Sequence, residues 1–379
     1  MFRHLCNVAY LSLLVLSPML SGCRGPSVPI TQSPIATESA PPSPTVAPQG
    51  PASKIDKALS SLTEREAFTG AVLVAQNGEV LLSEGYGLAD RDKNLPNTPQ
   101  TKYRLGSITK QFTAMAILML QAQDKLNVQD PICRYLPECP ATWQDITVHQ
   151  LLTHTSGIQN FTDFRDYHAT KATPSPPEQT IARFKDRPLN FQPGEQWSYS
   201  NSGYILLGYI IEQTSGQSYE AFLQQYVFEP LQMKNTGYDH NDASLATGYT
   251  GSRGLWRRAD PIDMTIPYAA GGLYSTVEDL YRWDQALYTE QLVSRELLDL
   301  MFAPHAEMPG PGLSYGYGWG VGEMNNHQAV GHGGGIDGFA TEIRRYIDDK
   351  VTIIILSNRD TTGVVSAADL IAQAMFEEQ

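Results

Sequence analysis

The strand-forming segments of this chain lie at the two ends of its globular part. Residues 70–87 (GAVLVAQNGEVLLSEGYG) are two β-rich runs around Asn77-Gly78, a dipeptide that favours a tight hairpin. Further strand patterns appear only near the C-terminus, in YGYGWGVGEM, HQAVGH, GFATEIRRYI and KVTIIILS, the last of which follows a turn at Asp348-Asp349. The sequence between them is mainly helical. We therefore predict an α+β fold of the α/β-sandwich type: an antiparallel sheet built from N- and C-terminal strands, flanked by helices, with a large helical region inserted.

The N-terminus has the features of an export signal. A short basic start is followed by an apolar stretch that is too short to span a membrane, and then by Leu20-Ser21-Gly22-Cys23. This end resembles the lipobox of bacterial lipoproteins, in which the cysteine receives diacylglycerol. We expect a lipoprotein signal peptide over residues 1–23, with Cys23 lipidated; the alternative is an ordinary signal peptide with an incidental cysteine.

Residues 24–53 are rich in Pro, Ser, Thr and Ala and lack periodicity, which predicts a disordered tether. The globular domain is expected over residues 54–379.

In an exported chain, Cys133 and Cys139 are expected to form a disulfide, the alternative being two free thiols. The net charge of −13 argues against nucleic acid as a partner. No metal-ligand spacing is present, so neither metal nor cofactor is expected, and we expect a monomer.

The first candidate catalytic residues are Ser107 and Lys110, which lie at the start of a long apolar helical run. A serine in the first turn of a helix lies near free backbone N–H groups and the positive end of the helix dipole. A lysine three residues later lies on the same face and can accept the serine proton when it is neutral. The pair predicts an activated nucleophile, although a helix cap followed by a surface lysine has the same spacing.

Two further clusters follow in sequence: Tyr199-Ser200-Asn201, and His332 with the glycines 333–335. The ordered set S-x-x-K, Y-x-N and H-x-G resembles the serine β-lactamase and penicillin-binding-protein superfamily. The nearest branch is that of class C β-lactamases, D-Ala-D-Ala carboxypeptidases, D-aminopeptidases and related esterases. The resemblance covers about residues 55–375 and includes GYGLADRD, ITVHQLLTHTSGI and AAGGLYSTVEDL. It implies a β-lactamase/transpeptidase-like fold.

The resemblance also implies a role for each residue. Ser107 would be acylated, and Lys110 and Tyr199 would share the general-base work, with the tyrosine's phenolate form favoured by the neighbouring ammonium. Asn201 would hydrogen-bond the substrate. The glycine run, including Gly334 and Gly335, would let a strand lie against the substrate, and the backbone N–H groups of Ser107 and Gly335 would form the oxyanion hole. Without the resemblance, a core tyrosine, a helix cap and a flexible turn would explain the same residues.

One departure concerns His332, where many β-lactamases have lysine. Histidine offers only a partial charge near neutral pH, which disfavours efficient β-lactam hydrolysis and predicts that activity follows an ionisation near neutral pH. His154, in LLTHTSG, is expected to be structural. A competing G-x-S-x-G motif at Ser314 lacks the strand and helix that a hydrolase elbow needs, so Ser314 is expected to begin a strand.

These features predict a serine hydrolase at the bacterial cell envelope. It would work through an acyl-enzyme on a D-amino peptide, a β-lactam or a small ester. One alternative is a penicillin- or peptidoglycan-binding domain that is acylated but scarcely turns over. Another is a catalytically silent scaffold.

Overall fold

A computed structural model describes residues 50–251, 254–310 and 312–377. The predicted signal peptide, Cys23 and nearly all of the predicted tether lie outside these residues. The first helix begins at Pro51, three residues before the expected start of the domain. No helix in the described ranges is long and apolar enough to cross a bilayer.

The strands, in chain order, are β1 (Gly70–Gln76), β2 (Glu79–Tyr86), β3 (Leu88–Asp90), β4 (Leu95–Pro96), β5 (Tyr103–Arg104), β6 (Gly237–Tyr238), β7 (Tyr249–Thr250), β8 (Arg257–Arg258), β9 (Leu273–Ser275), β10 (Ala306–Glu307), β11 (Leu313–Tyr315), β12 (Gly320–Met324), β13 (His327–Ile336), β14 (Phe339–Tyr346) and β15 (Val351–Ser357).

The α-helices are α1 (Pro51–Glu64), α2 (Thr109–Ala122), α3 (Val148–Leu152), α4 (Tyr167–Thr170), α5 (Pro177–Ala182), α6 (Asn201–Ser215), α7 (Tyr219–Leu223), α8 (Tyr268–Gly271), α9 (Val277–Ala286), α10 (Arg295–Phe302) and α11 (Val364–Phe376). Short 3-10 helices cover Gly106–Ile108, Ile132–Arg134, Ala141–Trp143 and Phe161–Asp163, and Gln224–Phe228 forms a π-helical turn.

The main sheet joins the two ends of the domain, as the sequence predicted. Its eight strands lie in the order β10-β11-β12-β13-β14-β15-β1-β2, and neighbouring strands are antiparallel. In the central pair, β1 lies beside β15, with Ala71 opposite Leu356. The fold is therefore the expected α+β sandwich, because this sheet is completed only by strands from both ends of the sequence.

Alternate residues of the central strands face two different helical layers, as the two-residue period of a strand requires. Val72 and Val74 belong to a core shared with α1 and α11. Leu73 and Ile354 belong to the larger core on the opposite face, which contains α2, α6 and α9. Both faces of the sheet are covered, which explains why β15 reads as an unbroken apolar run rather than an alternating one.

Candidate active site

Ser107 lies in the 3-10 turn Gly106–Ile108, directly before α2. Gly106 has a φ of 54°, in the left-handed region that glycine adopts without strain. A Cβ atom at this position would lie 3.0 Å from both the backbone N and the O of Gly335. Glycine at position 106 therefore lets the turn carrying Ser107 approach the glycine run of β13.

Lys110 lies one turn further along and is fully buried. Its Nζ lies 3.1 Å from Oγ of Ser107, 2.9 Å from Oδ1 of Asn201 and 2.7 Å from the carbonyl oxygen of Ala270. Burial lowers the pKa of Lys110 well below its usual value. A neutral amine has two N–H donors, which the amide and carbonyl oxygens accept. Its lone pair is then left to accept the hydroxyl proton of Ser107.

Tyr199 lies beside this pair, with its ring centre 4.9 Å from Nζ of Lys110. Burial raises the pKa of Tyr199 above its usual range, and contact with the Ser107 hydroxyl offsets only part of this effect. The pKa of Tyr199 is thus raised, contrary to the expectation that a neighbouring ammonium favours its phenolate form. Burial also shifts Lys110 towards its neutral form, because it lowers the pKa of the amine. Tyr199 retains its proton, and Lys110 is the group whose basic form the site favours.

His154 holds the segment that carries Tyr199. The backbone N–H groups of Ser198 and Ser200 donate to the carbonyl oxygen of His154 at 2.9 Å and to its Nδ1 at 3.1 Å. The imidazole ring centre lies 4.3 Å from that of Tyr199. His154 is buried, and this burial lowers its pKa well below the usual value. His154 thus has the expected structural role, and the segment that it holds is the one that carries Tyr199. The sequence did not indicate this link between the two residues.

Asn201 is the first residue of α6, and its side chain bridges two elements of the site. Oδ1 accepts from Lys110, and Nδ2 donates to Oγ1 of Thr162 at 3.3 Å. Its backbone N–H donates to Oδ1 of Asn160 at 3.0 Å. The structure thus brings Asn201 to Ser107 and Lys110, while its contact with substrate stays a prediction.

His332 lies on β13 and is held by two hydrogen bonds. Its Nδ1 donates to the carbonyl oxygen of Gly333 at 2.6 Å, because that oxygen can only accept. Its Nε2 lies 2.8 Å from the hydroxyl of Tyr315 and accepts from it. Burial, with a smaller contribution from Lys110, lowers the pKa of His332 to about 4. The predicted ionisation near neutral pH is therefore wrong, and His332 is neutral at pH 7.

Tyr315 was not identified from the sequence as a site residue. The run YGYGWG predicted a strand, but a strand pattern alone does not indicate which of its aromatic rings faces the site. In the structure, Tyr315 on β11 reaches His332 with its hydroxyl, and its ring centre lies 4.7 Å from that of His154. It links the two histidines of the site.

The glycines of β13 have different surroundings. The pairing of β12 with β13 ends at Gly331, so on that side the following residues have no strand neighbour. A Cβ atom on Gly334 would lie 2.0 Å from the carbonyl oxygen of Leu105, which excludes any side chain there. A Cβ atom on Gly335 would have nothing within 4 Å. Gly334 therefore permits close packing, whereas Gly335 faces open space beside Ser107.

This open space is a cavity of about 100 Å³ in front of the nucleophile. Its walls include Ser107, Asn201 and Gly335, together with Phe161, Tyr167, Ile336 and Asp337. Lys110 lies behind Ser107. The structure thus places an accessible serine, a buried amine and a strand edge around a space that could hold a small acyl group.

The remaining predicted residues lie elsewhere. Cys133 and Cys139 form a disulfide. Ser314 lies within β11, which is paired with β10 and β12, and no helix follows it as a hydrolase elbow would require. Among the described residues, no cluster of acidic residues, histidines and cysteines could hold a metal ion.

Known proteins resemble this chain in sequence and in fold. The protein-family model described as Beta-lactamase matches residues 55–376. Penicillin-binding protein 4* of Bacillus subtilis (strain 168) is 31% identical over 322 residues, which cover 80% of this chain and 70% of that protein. The curated relatives that this chain matches are longer, and it spans 64–70% of their length.

Two solved structures share the fold. The octameric penicillin-binding protein homologue from Pyrococcus abyssi superposes with a TM-score of 0.77 at 30% identity, covering 86% of this chain and 77% of that one. The D-amino acid amidase from Ochrobactrum anthropi SV3 superposes with a TM-score of 0.75 at 24% identity, covering 86% and 98%.

Proposed function

Because the chain belongs to the β-lactamase and penicillin-binding-protein superfamily and is a serine hydrolase, we propose that it cleaves a small amide or ester by acylation of Ser107. The observation that carries this proposal is the position of Lys110. Its Nζ lies within hydrogen-bonding range of the Asn201 and Ala270 oxygens and of the serine hydroxyl. In the neutral form that burial favours, the amine can donate to the two oxygens while its lone pair accepts the serine proton. The serine therefore has a base in hydrogen-bonding range without any rearrangement.

In the first step, the Ser107 hydroxyl proton passes to Nζ of Lys110 while Oγ bonds to the substrate carbonyl carbon. The carbonyl oxygen becomes an oxyanion, which the backbone N–H groups of Ser107 and Gly335 would stabilise. The oxyanion then re-forms the carbonyl and the bond between its carbon and the leaving nitrogen or oxygen breaks, which leaves the acyl-enzyme. Tyr199 keeps its proton until then because its pKa is raised, so it can donate that proton to the leaving group and recover one from the Lys110 ammonium.

In the second step, water attacks the acyl-enzyme. Lys110, neutral again, accepts a proton from the water, and the acid product leaves with Oγ of Ser107 reprotonated. No carboxylate forms an ion pair with Lys110 within the described residues, so the amine is the base that the site offers for both steps. Slow attack by water would instead produce the alternative behaviour, a domain that is acylated and scarcely turns over.

The test is a panel of chromogenic esters, D-amino acid amides and a labelled β-lactam, applied to the domain from residue 50 onward. We expect burst kinetics followed by steady release, and a mass increase of one acyl group at Ser107. Ser107→Ala should lose both. Stable labelling without release would favour the binding alternative, and full ester hydrolysis by Ser107→Ala would refute the proposed nucleophile.

We further propose that the protein works at the cell envelope, attached by lipid at Cys23. The support is the apolar N-terminal segment that ends in Leu-Ser-Gly-Cys, followed by residues 24–49, which are rich in proline and serine. Cys23→Ser should move the protein from the membrane fraction to the soluble fraction. The expected monomer is tested by sedimentation of the soluble domain, since one structural relative is octameric.

A further inference from the structure

One wall of the active-site cavity carries a carboxylate that the proposed chemistry does not use. Asp337 follows the last residue of β13, two positions after Gly335, and lines the same cavity as Ser107. Successive residues of an extended segment rise by about 3.3 Å each, so Asp337 lies roughly 7 Å along the chain from the proposed oxyanion site. A group attached close to the scissile carbonyl could reach it.

Asp337 is held in place from behind. Its Oδ1 forms an ion pair with Nζ of Lys171, whose side chain is 8% exposed, whereas that of Asp337 is 23% exposed. The backbone of Lys171 is fixed in turn by the N–H of Asp263, which donates to its carbonyl oxygen at 2.9 Å. The ammonium is thus buried behind the carboxylate. A substrate in the cavity would meet the oxygen of Asp337 rather than the lysine.

The rest of the wall suits a cation. Among the described residues that line the cavity, Asp337 is the only one with a formal charge, and none is a lysine, arginine or histidine. Tyr167 and Phe161 line the same cavity, and aromatic rings attract cations through their faces. Burial raises the pKa of the Tyr167 phenol, and the negative charge of Asp337 adds a smaller contribution in the same direction.

The cavity is also small. At roughly 10–15 Å³ for each water-sized group, about 100 Å³ holds only several non-hydrogen atoms. It therefore fits a group bonded to the atom next to the carbonyl better than an extended peptide. An α-ammonium group has both the required charge and the required position, whereas a carboxylate there would face Asp337 with no compensating cation on the wall.

We propose that Asp337, together with Tyr167, forms a subsite for the α-ammonium group of the acyl residue. The preferred substrates would then be amides, esters or short peptides of an amino acid with a free amino terminus. This inference rests on the proposed hydrolase function and specifies its substrate class. It concerns specificity, because no proton or bond changes at Asp337.

The experiment compares D- and L-alanine p-nitroanilide with their N-acetylated forms, using p-nitrophenyl acetate as a neutral ester. We expect a free amino group to raise kcat/KM by roughly tenfold to a hundredfold for the preferred enantiomer, as for a hydrogen bond between charged groups. Asp337→Asn should remove most of this preference, measured as the ratio of kcat/KM for the free and the N-acetylated substrate.

Two further variants control for the unpaired lysine and for the change in net charge. Asp337→Asn leaves Lys171 buried without its partner, so the double variant Lys171→Met/Asp337→Leu, which removes both charges, should lose the preference in the same way. Asp260→Asn, at an exposed carboxylate paired with Arg257 outside this cavity, changes the net charge equally and should retain it.

The outcomes separate the two proposals. Equal or faster hydrolysis of the N-acetylated substrates overturns the ammonium subsite while leaving the hydrolase function intact. The same conclusion follows if both Asp337 variants keep the preference, or if the enzyme cleaves the neutral ester and neither free-amine anilide. Ester hydrolysis that persists in Ser107→Ala would instead refute the proposed hydrolase site itself, and the subsite with it.

Discussion

His154 accepts a hydrogen bond at Nδ1 from the backbone N–H of Ser200, at 3.1 Å. Because Nδ1 accepts, the proton of the neutral ring is on Nε2, which has no hydrogen-bond partner in the described part of the chain. The carbonyl oxygen of His154 accepts from Ser198. Tyr199, between these two serines, is thus held from both sides by one buried residue.

We expect His154→Ala to reduce kcat by roughly a hundredfold, because a proton donor displaced by about 1 Å loses its alignment with the reacting atoms. KM for a neutral ester should change little. His154→Asn should recover part of the rate. Asparagine tolerates the left-handed conformation of this position (φ of 61°) and offers an acceptor near that of Nδ1. Stopped-flow measurement of the acylation burst separates this effect from release.

Val227→Ala serves as the matched control for lost packing. Val227 is fully buried and lies in the π-helical turn Gln224–Phe228. It should lower the free energy of unfolding by about 1–3 kcal/mol and leave kcat unchanged. If His154→Ala behaves like Val227→Ala, the histidine has no positioning role.

Lys110→Met should reduce kcat by about 10²–10⁴-fold, since it removes the proposed base. The variant should also change the pH dependence of stability. Lys110 is neutral in the folded state at a pH where the unfolded chain, with a lysine pKa of about 10.4, binds a proton. Unfolding is therefore favoured at lower pH, and stability rises with pH up to that value.

Urea unfolding at pH 7, 8, 9 and 10 measures this contribution. The free energy of unfolding of the wild-type protein should rise relative to that of Lys110→Met across the series. Parallel curves would show that Lys110 is charged in the folded state, which contradicts its role as a ready base.

The nuclear magnetic resonance signal of His332 should not titrate between pH 5.5 and 8, because its pKa is lowered to about 4. An unfolded histidine binds a proton near pH 6.5. The unfolded state therefore gains stability as the pH falls from there towards 4, and His332→Gln should remove this part of the acid sensitivity. The variant also identifies the His332 signal. A midpoint near 6.5 would mean that burial does not suppress its charge.

Gly334→Ala is expected to lower stability, whereas Gly335→Ala is expected to lower activity. A Cβ atom on Gly334 would lie 2.0 Å from the carbonyl oxygen of Leu105 and 2.2 Å from Oγ1 of Thr341. We expect a loss on the order of 3 kcal/mol in the free energy of unfolding. Gly335→Ala should stay within about 0.5 kcal/mol of wild type but lower kcat/KM, since the methyl group enters the cavity. Thermal unfolding and ester kinetics test both variants.

The sequence predicted the parts of the fold that depend on local pattern. The Asn77-Gly78 hairpin and the strands flanking Asp348-Asp349 are both present. Ser107 and Lys110 were predicted to be neighbours because three residues along a helical turn place side chains on one face, and Nζ lies 3.1 Å from Oγ. The order of the three motifs then indicated the family.

The electrostatics of the site could not be predicted in this way. Residue types suggest ordinary pKa values, whereas the values at Tyr199 and His332 depend on burial by surrounding elements. The contribution of Tyr315 required the register of β11 against β12, which the sequence does not specify. Asp337 could not be identified as a site residue from the sequence, because only the folded structure places its carboxylate in the same cavity as Ser107.

The pairing of β1 with β15 also determines at what stage of its synthesis the chain can become active. Every residue of the proposed catalytic group, from Ser107 to His332, has been synthesised before Val351, where β15 begins. Yet β15 is the strand that joins β14 to β1. A nascent chain thus contains all residues of the proposed catalytic group before the strand that joins the two parts of the sheet has been synthesised. Activity must therefore appear only after β15 has emerged. A frameshift between the codons of Asp337 and Val351 would leave every codon of the proposed site intact and still abolish the enzyme.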